Sequence, residues 1–293
     1  MRWDRFDHSR PDLRDLTDEL IMESEILKPL LIWAKKPVQA ILARSGLRPS
    51  RMIAGHRFFF DPATDIGLEL LTMGAFEKNA IAQCANFIRP DGVVVDVGAN
   101  IGVHAVHFAT CARLGSVVCF EPARSTFSYL LRNVGHLSNV VALNVALSDS
   151  TGLKPFFVAA DNAYSGLKDT NRKAISHQET VACLKGDDIL SALLRNRRVD
   201  LVKIDVEGLE TEVLSGMREF IVAHMPVIFC EIFGGKRSNL DPESTVRLCV
   251  SLGYDAFVLS GEHLRPAGTH NDSLYNYFFV PRNQPLSKVA SQT

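Results

Sequence analysis

The apolar positions of this chain follow two alternating rhythms. Short, nearly continuous apolar runs at 93–97, 116–120, 140–145, 201–204 and 227–232 read as strands buried on both faces of a parallel sheet. Between them the spacing becomes helical, over 101–109, 127–134, 188–194, 209–221 and 245–252. Asp241-Pro242-Glu243 gives the last of these helices an N-cap, a proline in its first turn and an early acid. Runs at 256–259 and 277–280 are expected to close the chain as a hairpin-like pair. Strands alternating with helices predict a doubly wound α/β sheet with right-handed crossovers, a Rossmann-like arrangement. Such sheets bind ligands beyond the carboxyl ends of their strands, so the residues that follow each strand matter most.

Two regions depart from this rhythm. Runs at 153–159 and 180–184 flank a polar loop rich in Asp, Asn, Lys and Ser, and are expected to form an insertion added antiparallel at a sheet edge. Residues 1–18 are polar, and 16–43 are helical in pattern but interrupted by Pro29 and Pro37, with Gly46 as a stop. A strand at 57–60 and helices at 66–73 and 81–88 follow. The expected division is an N-terminal helical arm over 1–50, a catalytic domain over 51–283 and a flexible tail over 284–293. Two placements of the arm compete: packed as a lid or homodimer contact, or lying on a membrane through Trp33, Lys35 and Lys36. The interrupted pattern favours packing.

Composition narrows the classes. The 293 residues approach the upper limit for one core, and a formal net charge of −1 supplies no field that would recruit nucleic acid or an acidic membrane. None of the 6 cysteines forms a C-x-x-C pair, as expected of reduced residues in a cytoplasmic protein. The start is charged and lacks an apolar signal core, and no run reaches the roughly 18 apolar residues of a membrane span, so no transmembrane segment is expected.

The chemistry concentrates at the ends of the strands. Val93-Val94-Val95-Asp96-Val97-Gly98-Ala99-Asn100-Ile101-Gly102 is a strand, a glycine loop and a helix start, where backbone N–H groups approach a ligand closely. The run is not the G-x-G-x-x-G of a dinucleotide site. Its acid precedes the first glycine, which suits a ligand carrying a cation; a plain βα turn is the ordinary alternative. Acids also close the later strands, as Glu121, Asp205 with Glu207, and Glu231, while Ala146-Leu147-Ser148-Asp149 follows the third. An acid after the second strand accepts the hydroxyls of a ribose and would serve NAD or an S-adenosyl cofactor equally. The glycine spacing separates them in favour of the second. Each acid taken alone could equally be a charge favoured at a helix N-terminus.

These motifs together resemble the class I S-adenosylmethionine-dependent methyltransferases, and specifically the FkbM family. The resemblance rests on Val95 to Gly102, on Phe120-Glu121-Pro122, on Asn144-Val145-Ala146-Leu147-Ser148-Asp149, and above all on Val199-Asp200-Leu201-Val202-Lys203-Ile204-Asp205-Val206-Glu207-Gly208 with Glu210, Val213, Leu214 and Gly216. It runs from about Phe58 to Val280. It implies a seven-stranded sheet whose last strand is antiparallel. It also implies that Asp96, Gly98, Ala99, Asn100 and Gly102 hold the methionine part, Glu121 with Pro122 the ribose, and Ala146, Leu147 and Ser148 the adenine edge. Two departures stand out: Lys185-Gly186-Asp187-Asp188 replaces a Leu-Asp pair, and His104 stands where the family often has an aromatic residue.

Methyl transfer is an in-line displacement in which alignment does most of the work, and a hydroxyl acceptor must also lose its proton. Asp205 is the first candidate, as base or as partner of the cofactor amine, with Glu207 and His104 behind it. Asp205, Glu207 and Glu231 offer oxygen ligands for a divalent metal, but their cofactor roles make that the weaker reading. The expected activity is S-adenosyl-L-methionine-dependent O-methylation of a sugar, glycan or natural-product hydroxyl, with S-adenosyl-L-homocysteine as product. A nicotinamide-dependent oxidoreductase and a non-catalytic cofactor-binding subunit are the alternatives. The acceptor is expected between the 160–180 insertion, the segment around Phe76-Glu77 and the arm.

Overall fold

The computed structural model describes residues 35–283, apart from 170, 196, 235–240 and 272. The expected start of the arm, with Trp33, and the tail lie outside the described residues. The chain divides into two compact units: Met1–Arg51 with Phe59–Phe76, and Met52–Phe58 with Glu77–Thr293. The division therefore gives part of the expected catalytic domain to the N-terminal unit.

In the first unit, α1 (Lys35–Ser45) contains Pro37 and stops before Gly46. Its Gln39 Nε2 donates to Asp65 Oδ1 at 2.8 Å. Asp65 opens α2 (Asp65–Met73), which Thr64 caps by accepting from the Gly67 N–H, and which Gly74 ends in a left-handed conformation. β1 (Ser50–Ile53), unforeseen in the apolar pattern, and β2 (His56–Phe59) form a two-stranded sheet.

The second unit, which takes in Met52–Phe58 and so most of β2, continues from Glu77 with α3 (Lys78–Ala85) and is built on an eight-stranded sheet. In chain order its elements are β3 (Val93–Val97), α4 (Val103–Cys111), β4 (Ser116–Phe120), α5 (Arg124–Val134), β5 (Val140–Leu143), β6 (Ala146–Ser148), β7 (Gly152–Ala159), β8 (Ile175–Lys185), α6 (Gly186–Leu194), β9 (Val199–Ile204), α7 (Glu210–Gly216), α8 (Arg218–His224), β10 (Val227–Glu231), α9 (Pro242–Ser251), β11 (Tyr254–Ser260), β12 (His263–Pro266) and β13 (Asn276–Pro281). The sheet order is β12-β11-β13-β10-β9-β3-β4-β5. β3 is buried at every position and is flanked by β4 and β9, both parallel to it. Strand order reverses beside β3, because the chain goes first to β4 and β5 and later returns to β9 and β10; this places a ligand crevice at the end of β3. β13 is antiparallel to β10, as expected of a late strand. β12 is an additional edge strand, largely exposed, that extends the hairpin-like ending.

Three expectations need correcting. The run 140–145 is not one strand. It leaves the main sheet at Asn144, whose Nδ2 donates to the Glu121 and Pro122 carbonyls at 2.9 Å each. The insertion does not extend an edge of the main sheet. β8 pairs antiparallel with β7 and parallel with β6, in a three-stranded sheet of their own. The helix expected over 209–221 is two, broken at Met217. A Cβ on Gly216 would stand 2.0 Å from the Ser148 carbonyl oxygen, so α7 ends hard against β6. Met217 is fully buried, and its Cγ would lie 2.2 Å from a Cβ on Gly186. That close fit accounts for the Lys-Gly-Asp-Asp departure: position 186 has no room for a side chain, while Asp187 accepts the Phe220 N–H at 3.0 Å to hold α8.

The core of this unit lies between β3, β9, β10 and the helices α6 to α8, with Val95, Val202, Ile228, Leu190 and Phe220 among its members. At the amino ends of the strands Arg89 pairs with buried Asp200, Nε to Oδ2 at 3.0 Å. Among the described residues no helix is long and apolar enough to cross a membrane.

Candidate active site

The loops that leave β3, β4 and β9 are tied to one another by their backbones. Gly98 and Ala99 both donate to the Phe120 carbonyl at 3.0 Å, and the Asp205 N–H donates to Val97 O at 3.1 Å. Gly98 has φ +75°, and a Cβ there would stand 1.9 Å from Asp205 O; only glycine permits that approach. Asn100, at φ +49°, turns the loop so that its N–H donates to Glu121 Oε2 at 3.1 Å. The Ala123 N–H donates to Glu121 Oε1 at 2.9 Å. Glu121 is thus held by both oxygens at the end of β4. Burial pushes its carboxyl up to about 7, against the pull of those two N–H groups.

A cleft of about 620 Å³, counting its open mouth, lies over these strand ends. Gly98, Asn100, Glu121, Pro122, Ala146, Leu147, Asp205 and Glu207 line it, so eight of the residues singled out from the sequence meet there. Asp96, Ala99, Gly102 and Ser148 do not line it. Ala99 is buried and spends its N–H on Phe120, Gly102 packs against Leu130, and Ser148 accepts from Lys154 Nζ at 2.8 Å. Asp96 is fully buried and faces Lys203, whose Nζ is 3.4 Å from its Oδ1. Lys203 Nζ also stands 3.5 Å from Asp205 Oδ2 and donates to Gly98 O at 2.6 Å. Burial works against its charge, but the nearby acids Asp96, Asp205, Glu77 and Glu231 outweigh burial and raise its pKa. Lys203 therefore pairs with acids, and Asp96 supports the glycine loop from behind.

The insertion, expected beside the acceptor, supplies a wall of the cleft through residues that sequence reasoning did not name. Phe156, Asn162, Ser165 and Leu167 line the cleft, and Asn162 Nδ2 donates to Asn100 Oδ1 at 3.2 Å. Its polar, turn-rich composition was the one available signal. From the same loop Arg172 ion-pairs with Glu207 and lies over the rings of Tyr164 and Phe233, 4.4 and 4.9 Å from their centroids. Glu207 itself sits at φ +57°, and burial together with Asp205 pushes its carboxyl up to about 8, against Arg172.

His104 is not among the cleft-lining residues. It stands in the first turn of α4, 5% exposed, against the rings of Phe108 and Phe229. Its Nε2 lies 3.2 Å from Glu77 Oε2. Glu77, absent from the expected site residues, also influences the ionisation of Glu231. Burial, then the charges of Glu77 and Asp205, drive the Glu231 carboxyl well above the usual range. Glu77 goes the other way, to about 2: burial opposes its charge, but His104 and Glu231 outweigh burial. Burial likewise raises Asp205, with Lys203 opposing. Among the described residues no three or more His, Cys, Asp or Glu side chains are grouped so as to hold a metal ion.

A crevice at the point of strand reversal, a glycine loop with no room for a side chain at position 98 and a carboxylate clamped by backbone N–H groups meet at one place. Comparison with known proteins agrees with that geometry. Residues 96–254, more than half of the chain, match the model of the methyltransferase FkbM domain. The hexuronic acid methyltransferase AglP of Haloferax volcanii is 30% identical over 176 residues, which cover 59% of this chain and 67% of that protein. The 2-O-methyltransferase NoeI of Sinorhizobium fredii is 26% identical over 144 residues, 45% of this chain and 59% of that one. A methyltransferase FkbM of Methylobacillus flagellatus, known from its crystal structure, aligns with a TM-score of 0.44 at 15% identity, over 86% of this chain and 60% of that one. The chain belongs to the FkbM methyltransferase domain family and is a methyltransferase.

Proposed function

We propose that the protein uses S-adenosyl-L-methionine to methylate a hydroxyl of a sugar or of another natural-product acceptor. The observation that carries this reading is Glu121, both of whose oxygens are oriented by N–H groups at the lip of the cleft. The remaining lone pairs of such a carboxylate suit the paired hydroxyls of a ribose. Leu147, Phe156, Leu167 and Pro122 give the cleft apolar surface for an adenine ring. Gly98, whose missing Cβ leaves room only for backbone, is where a methionine moiety would run. The donors and acceptors present fit the cofactor.

When bound, S-adenosyl-L-methionine supplies an electrophilic methyl group on a sulfonium. The chain aligns and excludes. Glu121 fixes the sugar, the Asn100–Asn162 bond closes the insertion over the glycine loop, and Asp205, held by Lys203, stands at the cleft as amine partner or base. Glu207 is the other proton acceptor of the scheme that stands at the cleft, whereas His104 lies outside its lining. The names of AglP and NoeI, a hexuronic acid methyltransferase and a 2-O-methyltransferase, favour an oxygen acceptor on a sugar. A non-catalytic binding subunit would need no such cluster of titratable groups.

The test has two arms. Thermal shift should rise with S-adenosylhomocysteine and not with NAD; a rise with NAD alone overturns the reading. Methyl-labelled S-adenosylmethionine should then label at least one member of a panel of sugars, uronic acids and polyketide alcohols. Tight cofactor binding with no transfer to any of them would favour the binding subunit.

A further inference from the structure

Glu207 lines the cleft in a backbone conformation that a glutamate adopts only under constraint. Its φ is +57°, in the left-handed region, and its side chain is only 11% exposed. Strain of that kind at a cleft residue points from geometry toward function. What holds the residue comes from the insertion. A Cβ on Gly166 would stand 3.6 Å from the Glu207 Cβ, so the insertion backbone packs on its stem. Arg172, itself largely buried, donates through Nη1 to Glu207 Oε2. That bond engages Oε2 and leaves Oε1 as the oxygen with which Glu207 can meet a ligand.

Arg172 has a seat of its own. Its guanidinium lies 4.4 Å from the ring centroid of Tyr164 in the insertion and 4.9 Å from that of Phe233, which follows β10. Phe233 stacks in turn on Tyr275, with centroids 4.3 Å apart. A planar cation held on two rings is fixed in direction as well as in charge, which an ordinary surface ion pair is not. The seat ties the direction of Glu207 to the packing of the insertion. Asp205 is held differently, by Lys203 at 3.5 Å from within the sheet. The other charged groups around Glu207 are acids, Asp205 beside it and Glu210 at the start of α7, with Lys203 behind Asp205. Arg172 is therefore the cation that opposes burial at this carboxyl.

Resting on the reading that the cleft methylates a hydroxyl, we propose that Glu207 takes the proton of the acceptor hydroxyl and that Arg172 is the positioning residue that aims it and favours its ionised form, leaving Asp205 to the cofactor amine. The step balances. The oxygen–methyl bond forms and the sulfur–methyl bond breaks with its electrons left on sulfur. The hydroxyl proton passes to Glu207 Oε1, and the electrons of its bond stay on the acceptor oxygen. Arg172 does not line the cleft, so it acts through Glu207. Burial, with Asp205, pushes the Glu207 carboxyl up to about 8 even with Arg172 in place. Loss of the guanidinium favours the neutral acid further, and a neutral acid cannot take the proton.

The test is kcat against pH for the full chain, at saturating S-adenosylmethionine, with the hydroxyl of the panel above that accepts the methyl label. In the unaltered protein kcat should rise through about pH 8. Arg172→Gln should move that rise upward by about one pH unit or more, while S-adenosylhomocysteine binds as before. Arg172→Lys, which restores the charge without the planar fork, should bring the rise part of the way back. Phe233→Leu removes one ring of the seat and keeps apolar bulk. It should shift the rise in the same direction, and it decides the matter should Arg172→Gln not fold. Glu207→Gln should abolish the rise and lower kcat by about 100-fold or more. A rise that stays in place in Arg172→Gln and Phe233→Leu, with only its height reduced, is the mark of a merely structural arginine and overturns the inference. So does a Glu207→Gln protein that keeps the rise, which would make Asp205 the base. Neither outcome touches the functional reading. That reading falls, and this inference with it, if S-adenosylhomocysteine does not bind or no hydroxyl of the panel is methylated.

Discussion

Glu121 owes its place to backbone N–H groups on either side, and its charge to a balance between them and burial. With its carboxyl pushed up to about 7, half of the unliganded population is protonated near neutral pH. A protonated carboxyl accepts fewer hydroxyl donors than a carboxylate. Affinity for S-adenosylhomocysteine should therefore increase as pH rises through about 7. Glu121→Gln should flatten that slope and weaken binding by about 100-fold, the loss expected for one charge-assisted hydrogen bond, since the amide oxygen still accepts the other. Titration calorimetry at several pH values measures both; an unchanged slope would remove Glu121 from the ribose site. Lys203 is the counterpart on β9. Lys203→Met leaves Asp96 buried with no cation and should cost about 3–5 kcal/mol in urea denaturation. Adding Asp96→Asn should recover part of it, and a double variant no better than the single would contradict that account.

The glycine loop depends on contact between the β3 and β9 turns. Gly98→Ala places a Cβ 1.9 Å from the Asp205 carbonyl at φ +75°. It should destabilise the protein by more than about 2 kcal/mol and abolish cofactor binding. Gly152→Ala meets nothing within 4 Å and serves as the control. If both behave alike in thermal melts and binding, the close approach is not what constrains position 98. The elements that carry this loop were readable from the sequence, because β3, β4, β9 and β10 are buried on both faces and so are mostly apolar, with Asp96 and Lys203 facing each other as polar exceptions inside β3 and β9. Cleft residues at their ends, from Gly98 to Asp205, were readable for the same reason. What pattern alone did not disclose depends on contacts between distant segments. Asn144 ends β5 by bonding to the Glu121 and Pro122 carbonyls, and Gly216 ends α7 against Ser148. Neither has a local signature. Glu231 was visible as a strand-end acid, but Glu77 belongs to no repeat or motif, and only the folded chain brings it to His104.

The buried acids also set how stability responds to pH. Glu121 and Glu210 are pushed up to about 7 and Glu207 to about 8, each by burial first, and burial raises Glu231 as well. Each binds its proton more tightly folded than unfolded. The unfolded chain ionises first, so their stabilisation is present below the unfolded value near 4.5 and is lost as pH rises through about 7 to 8. Glu77 has the opposite sign: its contribution is present above 4.5 and is lost as pH falls toward about 2. The unliganded protein should accordingly melt at progressively lower temperature between about pH 5 and about pH 8. S-adenosylhomocysteine should offset the fall by mass action. A melting temperature that is flat or rising over that window would show that these carboxyls are not buried as described.

The most direct measurement is a crystal structure of the complex with S-adenosylhomocysteine. The ribose hydroxyls should lie within about 3.2 Å of the Glu121 oxygens, with the adenine beside Leu147 and the thioether sulfur turned toward Asp205. A nucleoside found away from the ends of β3 and β4, or a ribose that leaves Glu121 untouched, would contradict the account.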